Sequence, residues 1–151
     1  WGHTVKPTLT FLNLQVHQDE VVAVVGDVGS GKSSLLAALM GQLRHTQGLA
    51  QLYFSRRAAF AYVGPEPWLV RATLRENIVF GRPWDPERYE GVIKACALGG
   101  ELTRMARGDA TEIADGGGNL SVGQRQRVAL ARAAYGTSPL LLLDDPFRGM
   151  N

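Results

Sequence analysis

Apolar residues in the chain are grouped in short segments. In some segments they alternate with polar residues, and in others they follow one another without interruption. Residues 8–16 alternate in part, and residues 20–25 are continuously apolar and rich in β-branched side chains, so both are predicted as strands, the second one buried. Further strands are predicted at 50–54, 59–63 and 139–143, the last also buried. Strands near both ends with helices between them predict an α/β fold.

The helices are predicted from their start and stop signals. Thr73 and Glu76 have the spacing of a capping box, and Asp85 followed by Pro86 is typical of an N-cap and a first helical residue. The predicted helices are Ser33–Arg44, Thr73–Phe80, Asp85 to about Leu98 with a stop at Gly99–Gly100, a short helix at 101–107, and Ser121–Gly136.

The stretch "GDVGSGKS", Gly26–Ser33, fits the phosphate-binding pattern G-x-x-x-x-G-K-[ST] and lies between a predicted strand and a predicted helix. Its glycines let the backbone approach phosphates closely, and the helix N-terminus favours an anion. Lys32 is predicted to reach the β- and γ-phosphates, and the Ser33 hydroxyl to bind Mg²⁺. The predicted nucleotide-binding residues here are Gly26, Asp27, Val28, Gly29, Ser30, Gly31, Lys32, Ser33 and Ser34.

The stretch "LLLLDD", Leu140–Asp145, predicts the second half of a phosphate site. A strand that ends in an acid places Asp144 where it can hold Mg²⁺ or its water. Asp145 occupies the position where a glutamate general base is expected, and an aspartate is one methylene shorter. We therefore predict Asp145 to be a weak base.

A third motif, "NLSVGQRQRVALARA" at Asn119–Ala133, distinguishes among phosphate-loop families. It resembles the L-S-G-G-Q signature of ABC ATPases, with Val122 in place of the first glycine. Together with "VVAVVGDVGSGKSSLL", "TLRENIVFG" and "VIKACAL", it is similar to the first nucleotide-binding domain of the multidrug-resistance-associated (C) subfamily. The resemblance covers essentially the whole chain.

The resemblance implies a P-loop NTPase core with an inserted α-helical subdomain, truncated at its C-terminal end. Residues 1–81 and 136–151 would form the ATP-binding core of a single domain fragment, and residues 82–135 the helical and signature subdomain. Both ends look cut, so we expect a piece of a longer polypeptide. ATP and Mg²⁺ are the implied cofactors.

Partners are implied in the same way. Two nucleotide-binding domains of the family close head to tail, so we expect the signature to contact ATP held by a second such domain of the same polypeptide, through Leu120, Ser121, Val122, Gly123 and Gln124. Trp1 falls where the family places an aromatic residue that stacks on adenine. Transmembrane domains are the other implied partner, which places the chain at the cytoplasmic face of a membrane and predicts export of organic anions or thiol conjugates.

Several positions depart from the pattern of an active member. Pro65 stands where the family has the glutamine that contacts Mg²⁺ and water, and Glu66 beside it is a candidate substitute. Arg148 and Asn151 in "PFRGMN" differ from the serine and aspartate expected there, and the family's switch histidine would follow the last residue of this chain. With Asp145, these changes predict ATP binding with slow or no hydrolysis.

Composition narrows the alternatives without settling them. The net charge is +2 and the arginines are scattered, which argues against a nucleic-acid face. The single cysteine, Cys96, is typical of a reducing compartment, and no apolar run is long enough to span a bilayer. Three alternatives remain open: a regulatory ATP sensor that gates a channel or partner protein, a soluble ABC ATPase of DNA repair or translation, and a decayed paralogue.

Overall fold

The computed structural model describes residues 8–43 and 59–150. Contacts between residues divide the chain into two compact units, Trp1–Ser55 and Arg56–Asn151. The phosphate loop lies in the first unit, and the strand pair, the capped helices and the signature lie in the second.

The described part of the first unit contains one helix, α1, at Lys32–Leu39. It begins directly after Gly31, as the phosphate-loop pattern predicts, but it ends earlier than the predicted residue 44. Gly41 takes a left-handed conformation with φ 73° and donates its N–H to the Ala38 carbonyl at 3.0 Å. A glycine in this conformation is a common helix stop, and the prediction overlooked it.

The two strands predicted in the first unit are wrong. Residues 8–16 and 20–25 form no strand, and Val21 and Val25 are 95% and 88% exposed. A strand must pair its backbone N–H and C=O groups with a neighbour, and a continuously apolar strand also needs cover on both faces. Within the described residues neither segment has a paired neighbour, so β-branched composition alone does not produce a strand.

The second unit contains two parallel strands, β1 at Phe60–Val63 and β2 at Leu140–Leu143, in register from Phe60 opposite Leu140 to Val63 opposite Leu143. Both confirm the predicted positions. The strand predicted at 50–54 lies outside the described residues. Only Leu142 of β2 is buried, because side chains alternate along a strand, so the prediction of a wholly buried strand is wrong.

Four helices connect the strands. They are α2 at Leu74–Val79, α3 at Pro86–Ala95, α4 at Gly99–Leu102 and α5 at Val122–Tyr135, with 3₁₀ turns at Gly108–Ala110 and Asp115–Gly117. The predicted caps are confirmed. Thr73 and Glu76 form a reciprocal capping box, and the Asp85 carboxylate accepts the Arg88 N–H at 3.0 Å.

The end of α3 differs from the prediction. The helix stops at Ala95, and Ala97 has φ 53°, a left-handed conformation that a non-glycine residue seldom adopts. Gly99 and Gly100 do not terminate the helix but begin the four-residue helix α4, which covers only Glu101 and Leu102 of the helix predicted at 101–107. The turn at Ala97 places Leu98 in the core with no exposed surface, and this burial favours the unusual backbone.

Helix α5 lies between the two apolar clusters of the second unit. One face contributes Val128, Ala131 and Tyr135 to the larger cluster, whose other members are Leu69, Leu74, Ile78, Tyr89, Val92, Leu98, Ile113 and Leu120. The opposite face contributes Ala129 and Ala133, which pack with Val63 of β1. The larger cluster includes Leu69, Leu74 and Ile78 as well as later residues. Since α5 packs on this cluster with one face and on β1 with the opposite face, it connects the other helices to the strand pair.

Candidate functional site

The phosphate loop has the backbone conformation that its glycines allow. Gly29 and Gly31 have φ 82° and 98°, and the Ser30 N–H donates to the Asp27 carbonyl at 3.2 Å. Gly31 is the N-cap of α1, so the loop runs directly into a helix N-terminus. Such a terminus presents backbone donors and a positive dipole end, which fits an anion.

Lys32 carries the positive charge of this loop. Its ammonium donates to the carbonyls of Gly26 and Asp27, at 2.8 and 2.7 Å. A Cβ at Gly26 would come within 2.9 Å of the Ser30 hydroxyl, so the turn is tight at that position. Backbone donors, a helix N-terminus and an ammonium group in one loop fit the phosphates of a nucleotide.

The other predicted residues of the loop differ in exposure. Val28 and Ser33 are exposed, and Ser34 is buried within the first unit. An exposed hydroxyl at Ser33 fits a Mg²⁺ ligand, whereas Ser34 lies on the buried side of α1 together with Ala37. Trp1 lies outside the described residues, as do Asn151 and two of the histidines, His3 and His45.

In the second unit, the ends of the two strands bring the acidic residues to one sheet edge. The N–H of Asp144 donates to the Val63 carbonyl at 2.8 Å and so continues the ladder beyond β2. The Tyr62 hydroxyl lies 3.5 Å from the Asp144 carboxylate; burial, together with that negative charge, raises the pKa of Tyr62. Asp145 follows with φ 49°, so the chain turns sharply directly after the strand.

The loop after β1 meets the segment after β2 at the same edge. Arg148 donates to the Pro65 carbonyl at 3.5 Å and lies 3.8 Å from the Glu66 carboxylate. Glu66 is otherwise open to solvent, and Pro65 has no N–H. Sequence reasoning noted that Arg148 is unusual but did not predict this contact, because the two residues are far apart in the chain.

The signature forms the N-terminus of α5. The Ser121 hydroxyl accepts the Gln124 N–H at 3.1 Å, and the Gln124 side chain accepts the Ser121 N–H at 2.9 Å. Leu120 is buried and Val122 is half-exposed. The serine that was predicted to bind an anion therefore also completes a capping box, which fixes the direction of the helix.

Gly123 packs against the backbone of the turn after Asp145. A Cβ at Gly123 would collide with the Gly149 carbonyl, and a Cβ at Gly149 would lie 2.9 Å from Val122. Only a residue without a side chain permits this approach. The second unit thus brings together the signature, the loop at Pro65 and Glu66, and the acids Asp144 and Asp145.

Sequence reasoning missed one buried polar residue at this junction. Gln126 of α5 has no exposed surface, and its amide donates to the Gly64 carbonyl at 3.3 Å. The signal was available in the pattern, since Gln126 stands at a helical spacing of three, four and seven residues from Ala129, Leu130 and Ala133, which pack on β1.

Comparison with known proteins identifies the class. The sequence profile of the family described as ABC transporter matches residues 9–148, nearly the whole chain. The chain therefore belongs to the ABC transporter family, and this membership implies the P-loop NTPase fold. No helix in residues 8–43 or 59–150 is long and apolar enough to cross a membrane.

Within that family, the similarity is to the C sub-family, as the motifs indicated. The chain is 44% identical over all of its 151 residues to ATP-binding cassette sub-family C member 3 of Mus musculus. It is 48% identical over 145 residues, 96% of the chain, to sub-family C member 4 of Homo sapiens. It is 42% identical over 146 residues, 97% of the chain, to ABC transporter C family member 9 of Arabidopsis thaliana. These matches cover 10%, 11% and 9% of the relatives, so the chain spans about a tenth of their length.

Proposed function

We propose that this chain is a nucleotide-binding domain that binds Mg-ATP and supports the export of organic anions or thiol conjugates. The observation that carries the proposal is the phosphate loop, in which left-handed Gly29 and Gly31 lead into α1 and Lys32 is anchored on two loop carbonyls. A loop with this sequence and conformation binds the phosphates of a nucleotide.

The backbone N–H groups, the lysine and the serine of the loop have distinct parts in nucleotide binding. The N–H groups at the start of α1 bind phosphate oxygens, and Lys32 exchanges its carbonyl partners for the β- and γ-phosphates. Mg²⁺ neutralises phosphate charge when it is bound, and the family pattern alone assigns the Ser33 hydroxyl and the Asp144 carboxylate to it. Trp1 is proposed from the same pattern to stack on adenine.

The signature at the start of α5 points to a second nucleotide-binding domain as partner. Family resemblance predicts that Ser121, Gly123 and Gln124 contact ATP held by that domain, with Leu120 and Val122 beside them. The domain division proposed here keeps residues 1–81 and 136–151 as the ATP-binding core and 82–135 as the inserted helical subdomain. Transmembrane domains complete the assembly, and this chain lies at the cytoplasmic face of their membrane.

We propose that hydrolysis at this phosphate loop is slow or absent. Asp145 is shorter than a glutamate by one methylene, and a displacement of about 1 Å at a reacting group can cost on the order of 10²-fold in rate. Pro65 offers neither an N–H nor a polar side chain, and Glu66, its candidate substitute, faces Arg148. The chain therefore holds ATP and lends its signature to the partner's site.

The binding step is tested by titrating a fluorescent ATP analogue, with Mg²⁺, into the natural protein and two lysine variants. Lys32→Ala removes a charge-assisted contact worth about 1.5–3 kcal/mol, which predicts binding about 10- to 100-fold weaker. Lys94→Ala removes an exposed lysine in the last turn of α3 and is expected to leave the affinity unchanged. Equal affinities in all three proteins would exclude the phosphate loop as the binding site.

A regulatory ATP sensor is the second candidate, and the proline at position 65 favours it, because a sensor needs binding but not turnover. The two candidates differ in how substrate flux depends on Lys32. An exporter in which this domain takes part in each cycle loses flux in the Lys32→Ala variant. A sensor keeps a basal flux that no longer responds to ATP.

A further inference from the structure

Gln126 is a polar residue in an apolar stripe. The α5 face that packs on β1 carries Ala129, Leu130 and Ala133, and Gln126 continues this face one turn toward the N-terminus. It is fully buried, where an aliphatic side chain would satisfy packing alone. Burial of an amide is costly unless it makes a specific bond, so its contact needs a reason beyond packing.

The contact that Gln126 makes reaches the loop after β1. Its amide N–H donates to the Gly64 carbonyl at 3.3 Å, directly before Pro65 and Glu66, whereas its amide oxygen has no protein partner among the described residues. One helical turn earlier, Gly123 packs on the Gly149 backbone. A single face of α5 thus contacts both segments at the edge that carries Asp144.

We infer that Gln126 is a positioning residue that couples the signature to the loop at Pro65 and Glu66. The inference rests on the proposed function, in which the start of α5 contacts ATP on a partner domain. A displacement of the α5 N-terminus moves Gln126 with it, because both belong to one uninterrupted 14-residue helix. The bond to Gly64 then carries this displacement to the loop, whose own glutamine position is filled by proline.

The experiment uses amide hydrogen exchange in the full polypeptide that contains this chain, in a Lys32→Ala background. Mg-ATP is added below the weakened dissociation constant of that variant, so the chain's own phosphate loop stays largely empty and the effect of Mg-ATP arises at the partner domain. Exchange is followed in two segments, residues 119–127 and residues 59–70. With Gln126 present, Mg-ATP is expected to slow exchange in both segments by about fivefold, the lower end of typical coupling between sites.

Gln126→Leu removes the donor but keeps the volume, and the slowing is then expected only in residues 119–127. Gln126→Met, which is unbranched, is the second variant and protects the test if leucine disturbs packing. The control is Arg127→Met, which breaks the ion pair with Glu101 on a different side of the same helix and leaves both effects in place.

Two results would overturn this inference and leave the proposed function in place. One is slowing of residues 59–70 that persists in both Gln126 variants, and the other is slowing confined to residues 119–127 while Gln126 is present. No effect of Mg-ATP on either segment, with or without the Lys32 substitution, would overturn the proposed function and this inference together.

Discussion

Gly123 packs closely on the turn at Gly149, and we therefore expect Gly123→Ala to lower the free energy of unfolding, which is the opposite of the usual effect of this substitution in a helix. In most helices a glycine-to-alanine change stabilises by about 1 kcal/mol, because alanine loses less backbone freedom on folding. At Gly123 the added Cβ meets the Gly149 carbonyl and comes within 3.2 Å of its carbonyl carbon. These are backbone atoms, so neither can turn aside as a flexible side chain would.

The magnitude follows from the two opposing effects. Overpacking in a well-filled region costs typically about 1–3 kcal/mol, which exceeds the usual gain from alanine. Gly123→Ala is therefore expected to lower the free energy of unfolding by about 1 kcal/mol. Gly91→Ala is the matched control, because Gly91 lies inside α3 and its added Cβ would meet nothing within 4 Å. That variant is expected to be about 0.5–1 kcal/mol more stable than the natural chain.

Urea unfolding of the chain, followed by circular dichroism, measures both variants. Opposite signs for Gly123→Ala and Gly91→Ala, with a difference of about 2 kcal/mol, would agree with the close packing. Equal stabilisation by both substitutions would refute it, since the Cβ at position 123 would then have open space. A fall in stability for both would mean that helix propensity does not govern either position.

Three further predictions concern packing, pH and chemistry. Tyr135→Phe removes a buried hydroxyl that donates to the Pro83 carbonyl at 2.7 Å, and urea unfolding should show a loss of about 1–2 kcal/mol. Burial is the largest single influence on the pKa of Asp109 and raises it, but the hydrogen bonds and charge of Arg75, together with the neighbouring Tyr89 hydroxyl, lower that pKa by more and hold it below its usual value. The contribution of Asp109 to stability is therefore present above the unfolded-state pKa and lost as pH falls through the folded-state value. Asp109→Asn should flatten that acid limb of a stability–pH curve. Asp145→Glu should raise phosphate release at this site, by up to about 10²-fold, if the missing methylene limits the base, and unchanged release would assign the defect to another residue.

Helix starts were predictable because their signals are local. The capping box at Thr73 and the Asp85 N-cap each lie within four residues of sequence and form the expected hydrogen bonds. The helix start predicted at Ser121 is also confirmed, and there the structure adds a capping box with Gln124. The phosphate-loop conformation was predictable for the same reason, since its glycines and the helix after it are adjacent.

The failures of prediction arise where a feature depends on distant residues. Residues 20–25 have the composition of a strand, but a strand needs a neighbour that composition does not supply. The left-handed turn at Ala97 depends on the burial of Leu98 among residues of other helices. The partners of Gln126 and Arg148 lie in the loop after β1, far away in sequence, so neither contact could be predicted from local pattern.

The central claim is that this chain holds ATP at its phosphate loop without turning it over quickly. The most direct test incubates the chain, alone and in its full polypeptide, with radiolabelled Mg-ATP and counts bound nucleotide and released phosphate in the same samples. The account predicts stoichiometric binding that Lys32→Ala weakens by about 10- to 100-fold, with little phosphate released at this site. Binding as tight in Lys32→Ala as in the natural chain, or turnover equal to that of a domain with glutamate at position 145, would contradict it.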